Sequence, residues 1–114
     1  MALAVDRQDQ DKCSIITLRG KLMLGEEAGQ IEALVPQLLA SGHKNLVFDL
    51  SDLTHIDSTG IGRFIDTYSR LGQAGGQMRL AGATGAVRDS FRVTRLDTVF
   101  QFYPTVEAAC QGFQ

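Results

Sequence analysis

The feature that most restricts the fold is Asn45-Leu46-Val47-Phe48-Asp49-Leu50, a short run whose apolar residues fall on consecutive rather than alternating positions. A strand with that pattern suits the middle of a sheet, covered on both faces, better than an edge with one wet face. After it comes a polar link, Ser51 to Asp57, and then Ile61, Phe64, Ile65, Tyr68 and Leu71 recur at spacings of three and four. That spacing predicts an amphipathic helix with these five side chains turned to the core. A buried strand feeding a helix is the repeating unit of an α/β fold with right-handed parallel crossovers.

The rest of the chain extends the alternation. Leu3-Ala4-Val5, the polar stretch Gln8 to Lys12 and the β-branched Cys13-Ser14-Ile15-Ile16-Thr17-Leu18 read as an opening hairpin that ends at Gly20. From Glu26, the residues Ala28, Ile31, Leu34, Val35, Leu38 and Leu39 form one helical stripe, with Glu26 and Glu27 complementing the helix dipole and Gly42 at its end. Pro36 lacks a backbone donor and predicts a kink or a shorter helix. Gly72, Gly75 and Gly76 close the second helix ahead of a strand at Met78-Arg79-Leu80-Ala81. Thr84 is placed to cap a short helix through Val87 and Phe91, a strand follows from Val99 to Tyr103, and Thr105 caps a last helix with Glu107 in its first turn. The expected order is β-β-α-β-α-β-α-β-α. Residues 1–114 make one α/β domain, a small mixed and mostly parallel sheet with about four helices. With so few helices, one sheet face is left less covered and is open to contacts.

Charge and composition narrow the function. A formal net charge of -2 arises from interspersed charges, with no basic stripe, so no nucleic acid partner is expected. No apolar run approaches the roughly 20 residues that span a bilayer. The start, Met1-Ala2-Leu3-Ala4-Val5-Asp6, has no basic region and reaches an acid before a signal segment forms, so the expectation is a cytoplasmic protein without membrane contact. Cys13 and Cys110 stand nearly a chain length apart with no CxxC pair, and read as two ordinary buried thiols. His43 and His55 are isolated from each other and from any Cys, so neither a metal nor a cofactor is expected.

Chemistry concentrates where the central strand meets the second helix, in Thr54-His55-Ile56-Asp57-Ser58-Thr59-Gly60-Ile61-Gly62. Read locally, Ser58 is a helix N-cap. Read functionally, Asp57 and Ser58 stand at the carboxyl edge of the sheet, where open α/β folds expose their binding groups. The free amides and dipole of the first helical turn would hold a phosphoryl group on Ser58 without melting the helix. Gly60 and Gly62 leave the helix start bare, as close approach of a docked partner would require.

Ile56-Asp57-Ser58-Thr59-Gly60-Ile61-Gly62 resembles the signature of the STAS family of anti-sigma-factor antagonists. The likeness continues through Gly20-Lys21-Leu22, Leu46 to Ser51, Ala74-Gly75-Gly76, Leu96-Asp97 and Tyr103 to Ala109. It implies the fold read above, phosphorylation at Ser58, and a partner that is an anti-sigma factor with serine kinase activity; a serine phosphatase is a further expected partner. In such a family the unphosphorylated antagonist binds the anti-sigma factor and frees the sigma factor. The partner face is then His55, Asp57, Ser58, Thr59, Gly60, Ile61 and Gly62. One departure is Met23, at a position where many members carry an aspartate. An enzyme is not expected: Asp57-Ser58-Thr59-Gly60 has one residue too many for an aspartic-protease motif, and no phosphate-cradling GxGxxG or GxxxxGK[ST] is present. The alternative is a STAS scaffold or transporter-associated subunit that binds constitutively and is not phosphorylated.

Overall fold

A computed structural model describes residues 3–24 and 26–113, the side chains of residues 26–28 excepted. The elements are β1 (Leu3–Asp9), β2 (Ser14–Leu22), α1 (Glu26–Ala40), β3 (Asn45–Ile56), α2 (Ser58–Gln73), β4 (Gln77–Ala81), α3 (Gly85–Val93), a 3-10 turn (Leu96–Thr98), β5 (Gln101–Tyr103) and α4 (Val106–Ala109). They build one mixed sheet in the order β1-β2-β3-β4-β5. β1 runs antiparallel to β2, and every other neighbouring pair is parallel. The expected α/β class and mixed, mostly parallel sheet are therefore present.

β3 lies in the centre, as its apolar run requires. Leu46, Phe48 and Leu50 point into the main core beneath α1, α2 and α3, while Val47 is fully buried against the opposite face. Phe64 of α2 sets its ring edge-on to Phe48 at 5.2 Å and to Phe91 of α3 at 5.7 Å, tying two helices to the central strand. Each such pair is worth about 0.5–1.5 kcal/mol beyond its buried area.

Several expectations are corrected. The hairpin pairing reaches Gly20, opposite Leu3, as expected, but β2 itself continues to Leu22 alongside β3, and Gly20, at φ +100°, sits between two register shifts against β3, an irregularity inside the strand. The polar link after β3 is itself strand, because β2 continues alongside it, pairing Arg19 with Asp52 and Leu22 with Ile56. Pro36 does not end α1: it is exposed, and the helix runs on past it to Ala40. Gly42 then reverses the chain at φ +84°, with the His43 amide donating to the Leu38 carbonyl. Glu26, Glu27 and Ala28 carry side-chain expectations that lie outside the described residues.

Along α2, Ile61, Phe64 and Leu71 are core, but Ile65 and Tyr68 are exposed on the flank of the stripe. Thr84 takes the N-cap position of α3 with its carbonyl accepting from the Arg88 amide at 3.3 Å, but its side chain makes no capping hydrogen bond. Thr105 does cap α4, accepting from the Ala108 amide at 3.1 Å.

The second sheet face is covered by α4 and the residues after it. Ala109 and Phe113 close over Cys13, Ile15, Val47 and Ala81. Arg79 is buried in this layer, donating to the carbonyls of Ala109 and Gln111 and stacking 3.7 Å from the Phe113 ring centroid. Toward the carboxyl edge the same face stays open, with Asp49 half-buried and Ser51 exposed.

Candidate functional site

The junction that sequence reading singled out stands clear of the sheet. β4 pairs with β3 only from Asn45 to Asp49, whereas β2 accompanies β3 as far as Ile56. The last part of β3 is thus a two-stranded ribbon past the carboxyl edge, and Asp57 and Ser58 follow at its tip. The Asp57 amide continues the ladder by donating to the Leu22 carbonyl at 3.3 Å.

Asp57, not Ser58, is the N-cap of α2. Its backbone is extended (φ -113°, ψ -174°), its Oδ1 accepts from the Gly60 amide at 2.9 Å, and its carbonyl accepts from the Ile61 amide at 2.9 Å. Oδ2 turns the other way and accepts from the Leu24 amide at 2.8 Å, joining the β2–α1 loop to the helix start. The Gly60 amide foremost, then Leu24 and Thr59, hold this carboxyl below the ordinary aspartate range, against a smaller opposing effect of burial. With the cap supplied by its neighbour, Ser58 is the first helical residue and its side chain is exposed. α2 has no acidic residue in its first turn, so the dipole at Ser58 is met by Asp57 alone.

The two glycines do different work. A β-carbon on Gly60 would meet the Leu22 carbonyl oxygen at 2.6 Å and Ile56 Cγ1 at 2.8 Å, so the absent side chain lets α2 close on β2 and β3. Gly60 and Ile61 are buried, which sets them behind the expected partner face, where they fix its position. A β-carbon on Gly62 would meet nothing within 4 Å, leaving space that a partner can enter. Thr59 is half-buried and His55 exposed. His55 lies on the ribbon opposite Lys21, its Nδ1 2.8 Å from Thr54 Oγ1, and Thr54 donates to the Gly20 carbonyl at 2.9 Å. His43 is at the far end of the sheet beside Ser14 and Asp9. Among the described residues, no three His, Cys, Asp or Glu side chains converge as metal ligands.

Sequence reading missed an apolar groove beside Ser58. Ile61, Gly62 and Ile65 of α2 face Val93 and Thr94 across a cavity of about 280 Å³. Val93 is 80% exposed and Ile65 47%. On the other side of the cap, Leu24 is 77% exposed and Met23 half-exposed, the latter standing where the resemblance expects an aspartate. The helical spacing that assigned Ile65 inward could not reveal this, and Val93 lies beyond the last inward position of α3. Exposed Ser58 is therefore bordered by apolar side chains, a setting suited to protein contacts.

Comparisons with known proteins bear on the family and the fold. The family model of the STAS domain matches residues 4–109. An anti-sigma-B factor antagonist of Bacillus subtilis (strain 168) is 25% identical over 111 residues, covering 97% of this chain and all of the relative. The crystal structure of an anti-sigma factor antagonist from Mycobacterium paratuberculosis superposes with a TM-score of 0.81 at 26% identity, over 94% of this chain and 90% of that one. The Bacillus cell fate determinant SpoIIAA in its phosphorylated form has a TM-score of 0.75 at 21% identity, over 93% of this chain and 96% of that one, a likeness of fold.

Proposed function

This chain belongs to the STAS domain family, and from that premise we propose that it is an anti-sigma factor antagonist acting in the cytoplasm, switched off by phosphorylation of Ser58. The observation that carries the reading is the division of labour between Asp57 and Ser58: the aspartate satisfies the helix start, leaving the serine exposed beside an apolar groove. The partner is an anti-sigma factor with serine kinase activity, and a serine phosphatase restores the binding form.

The physics of the switch follows from where the phosphate would sit. At Ser58 it adds a charge of about -1.5 to -2 at the amino end of a 16-residue helix, where the dipole favours an anion by about 0.3–1 kcal/mol at an exposed site. Asp57 opposes it, so the domain's own stability changes little. In a docked interface the same group must shed water against Ile65 and Val93, a cost that grows with burial. Binding therefore falls far more than folding. That this fold accommodates a phosphorylated state is supported by phosphorylated SpoIIAA.

The test is affinity capture from the source cell with the wild-type chain and a Ser58→Ala variant, followed by mass spectrometry of the partner and of the Ser58 peptide. Recovery of an anti-sigma factor by both, with phosphate on Ser58 of the wild type only, is the expected result. A partner held equally by phosphorylated and unphosphorylated protein would replace this reading with that of a constitutive scaffold.

A further inference from the structure

We propose that Cys13 and Cys110 form a reversible intramolecular disulfide, with a hydroperoxide as oxidant, that fastens α4 to the second face of the sheet. Although 97 residues separate them in sequence, their sulfurs lie 3.5 Å apart and both thiols are free. A disulfide needs about 2.05 Å, and the remaining approach falls on Cys110, which directly follows the four-residue α4. Cys13 enters β2 just after the hairpin turn, its carbonyl held by the Gln10 amide at 2.8 Å.

The surroundings assign the order of events. Cys110 is half-buried, so peroxide reaches it first. Cys13 is 6% exposed, and burial, with Cys110 alongside, pushes its thiol up to about 11, which keeps it protonated until its neighbour has reacted. Arg79 acts in the opposite sense on Cys13. Its guanidinium holds the carbonyls of Ala109 and Gln111, the residues on either side of Cys110, and its charge favours the attacking thiolate.

In the first step Cys110 Sγ attacks a peroxide oxygen. The S–O bond forms, the O–O bond breaks, and the departing hydroxide takes the Cys110 proton, giving a sulfenic acid and water. In the second step Cys13 Sγ attacks Cys110 Sγ, the S–O bond breaks, and hydroxide leaves with the Cys13 proton as a second water. Two electrons pass from the two sulfurs to the peroxide. A dithiol reductant reverses the change.

The experiment treats the native full chain with hydrogen peroxide in the absence of denaturant. Intact mass should fall by two hydrogen atoms, and trypsin should release the Cys13–Arg19 peptide joined to the peptide that begins at Leu96. Closing so long a loop should raise the melting temperature by roughly 5–15 °C, with the rise lost on adding dithiothreitol and absent in Cys13→Ser and Cys110→Ser. A covalent dimer through Cys110, a sulfinate on Cys110 with Cys13 still free, or a melting temperature unmoved by the crosslink would each overturn the proposal.

Discussion

A β-carbon on Gly60 would come within 2.6 Å of the Leu22 carbonyl oxygen, and a backbone atom in a paired strand cannot step aside as a flexible side chain could. Gly60→Ala should therefore destabilise the domain by about 1–3 kcal/mol, the overpacking cost exceeding the helix-propensity gain. Gly62→Ala meets open space and should stabilise by about 0.5–1 kcal/mol. Urea unfolding of the two variants side by side checks the contrast, and equal effects would mean that Gly60 is not in close contact.

Asp57→Ala should cost about 1–2 kcal/mol through the lost cap. The carboxyl is lowered in the folded state, so its contribution is fully present above the unfolded value near 3.9 and lost as pH falls through the lower folded value. The wild-type advantage over Asp57→Asn, which keeps an acceptor for Gly60 and titrates nowhere, should shrink as pH drops below about 4. Stability measured at successive pH values decides it, and a gap constant down to pH 2 would show that the shift is absent.

Phosphorylated protein should melt within a few degrees of the unmodified form while losing at least about 100-fold in affinity for the anti-sigma factor, a loss of about 2.7 kcal/mol. Ser58→Ala should bind normally and take no phosphate. Calorimetry and titration on one phosphorylated sample separate a surface switch from an unfolding one; phosphate mapped to Thr54 or Thr59 would move the site.

Gly62→Arg should keep the fold, because the position is open, and weaken partner binding at least tenfold by filling the groove beside Ser58. Circular dichroism with a binding titration tests it. Unchanged affinity in a folded variant would remove this groove from the interface.

Arg79→Ala should cost about 2–4 kcal/mol, since the carbonyls of Ala109 and Gln111 lose a buried donor and Phe113 loses its stacking cation. The same variant should speed alkylation of Cys13, because α4 loosens over it. A rate equal to wild type would show that Arg79 does not hold that face closed.

Much of this was legible in the residues because hydrophobic spacing reports burial directly. The run from Leu46 to Leu50 placed β3 in the middle, and the Asp57-Ser58-Thr59-Gly60 stretch located the helix start. What escaped depended on contacts distant in sequence. Ser51 to Ile56 looks like a polar loop until β2 is found beside it, and local pattern could not decide between Asp57 and Ser58 as the cap. Ile65 has the spacing of a core residue but sits on the rim of a groove that only α3 completes. Nothing in the spacing of Cys13 and Cys110 brings their sulfurs together, since that meeting depends on how the last helix returns across the sheet.

The ribbon that carries Asp57 and Ser58 is braced on one side only, because β4 stops pairing at Asp49. It behaves as a cantilever: with β2 alone alongside, the amides from Ser51 to His55 should exchange with solvent sooner than those at Leu46 to Phe48, while Leu50 and Leu53 keep the ribbon seated on the core. A docked partner would meet a tip held by one neighbouring strand, and any bending it imposed would stop where the fourth strand begins.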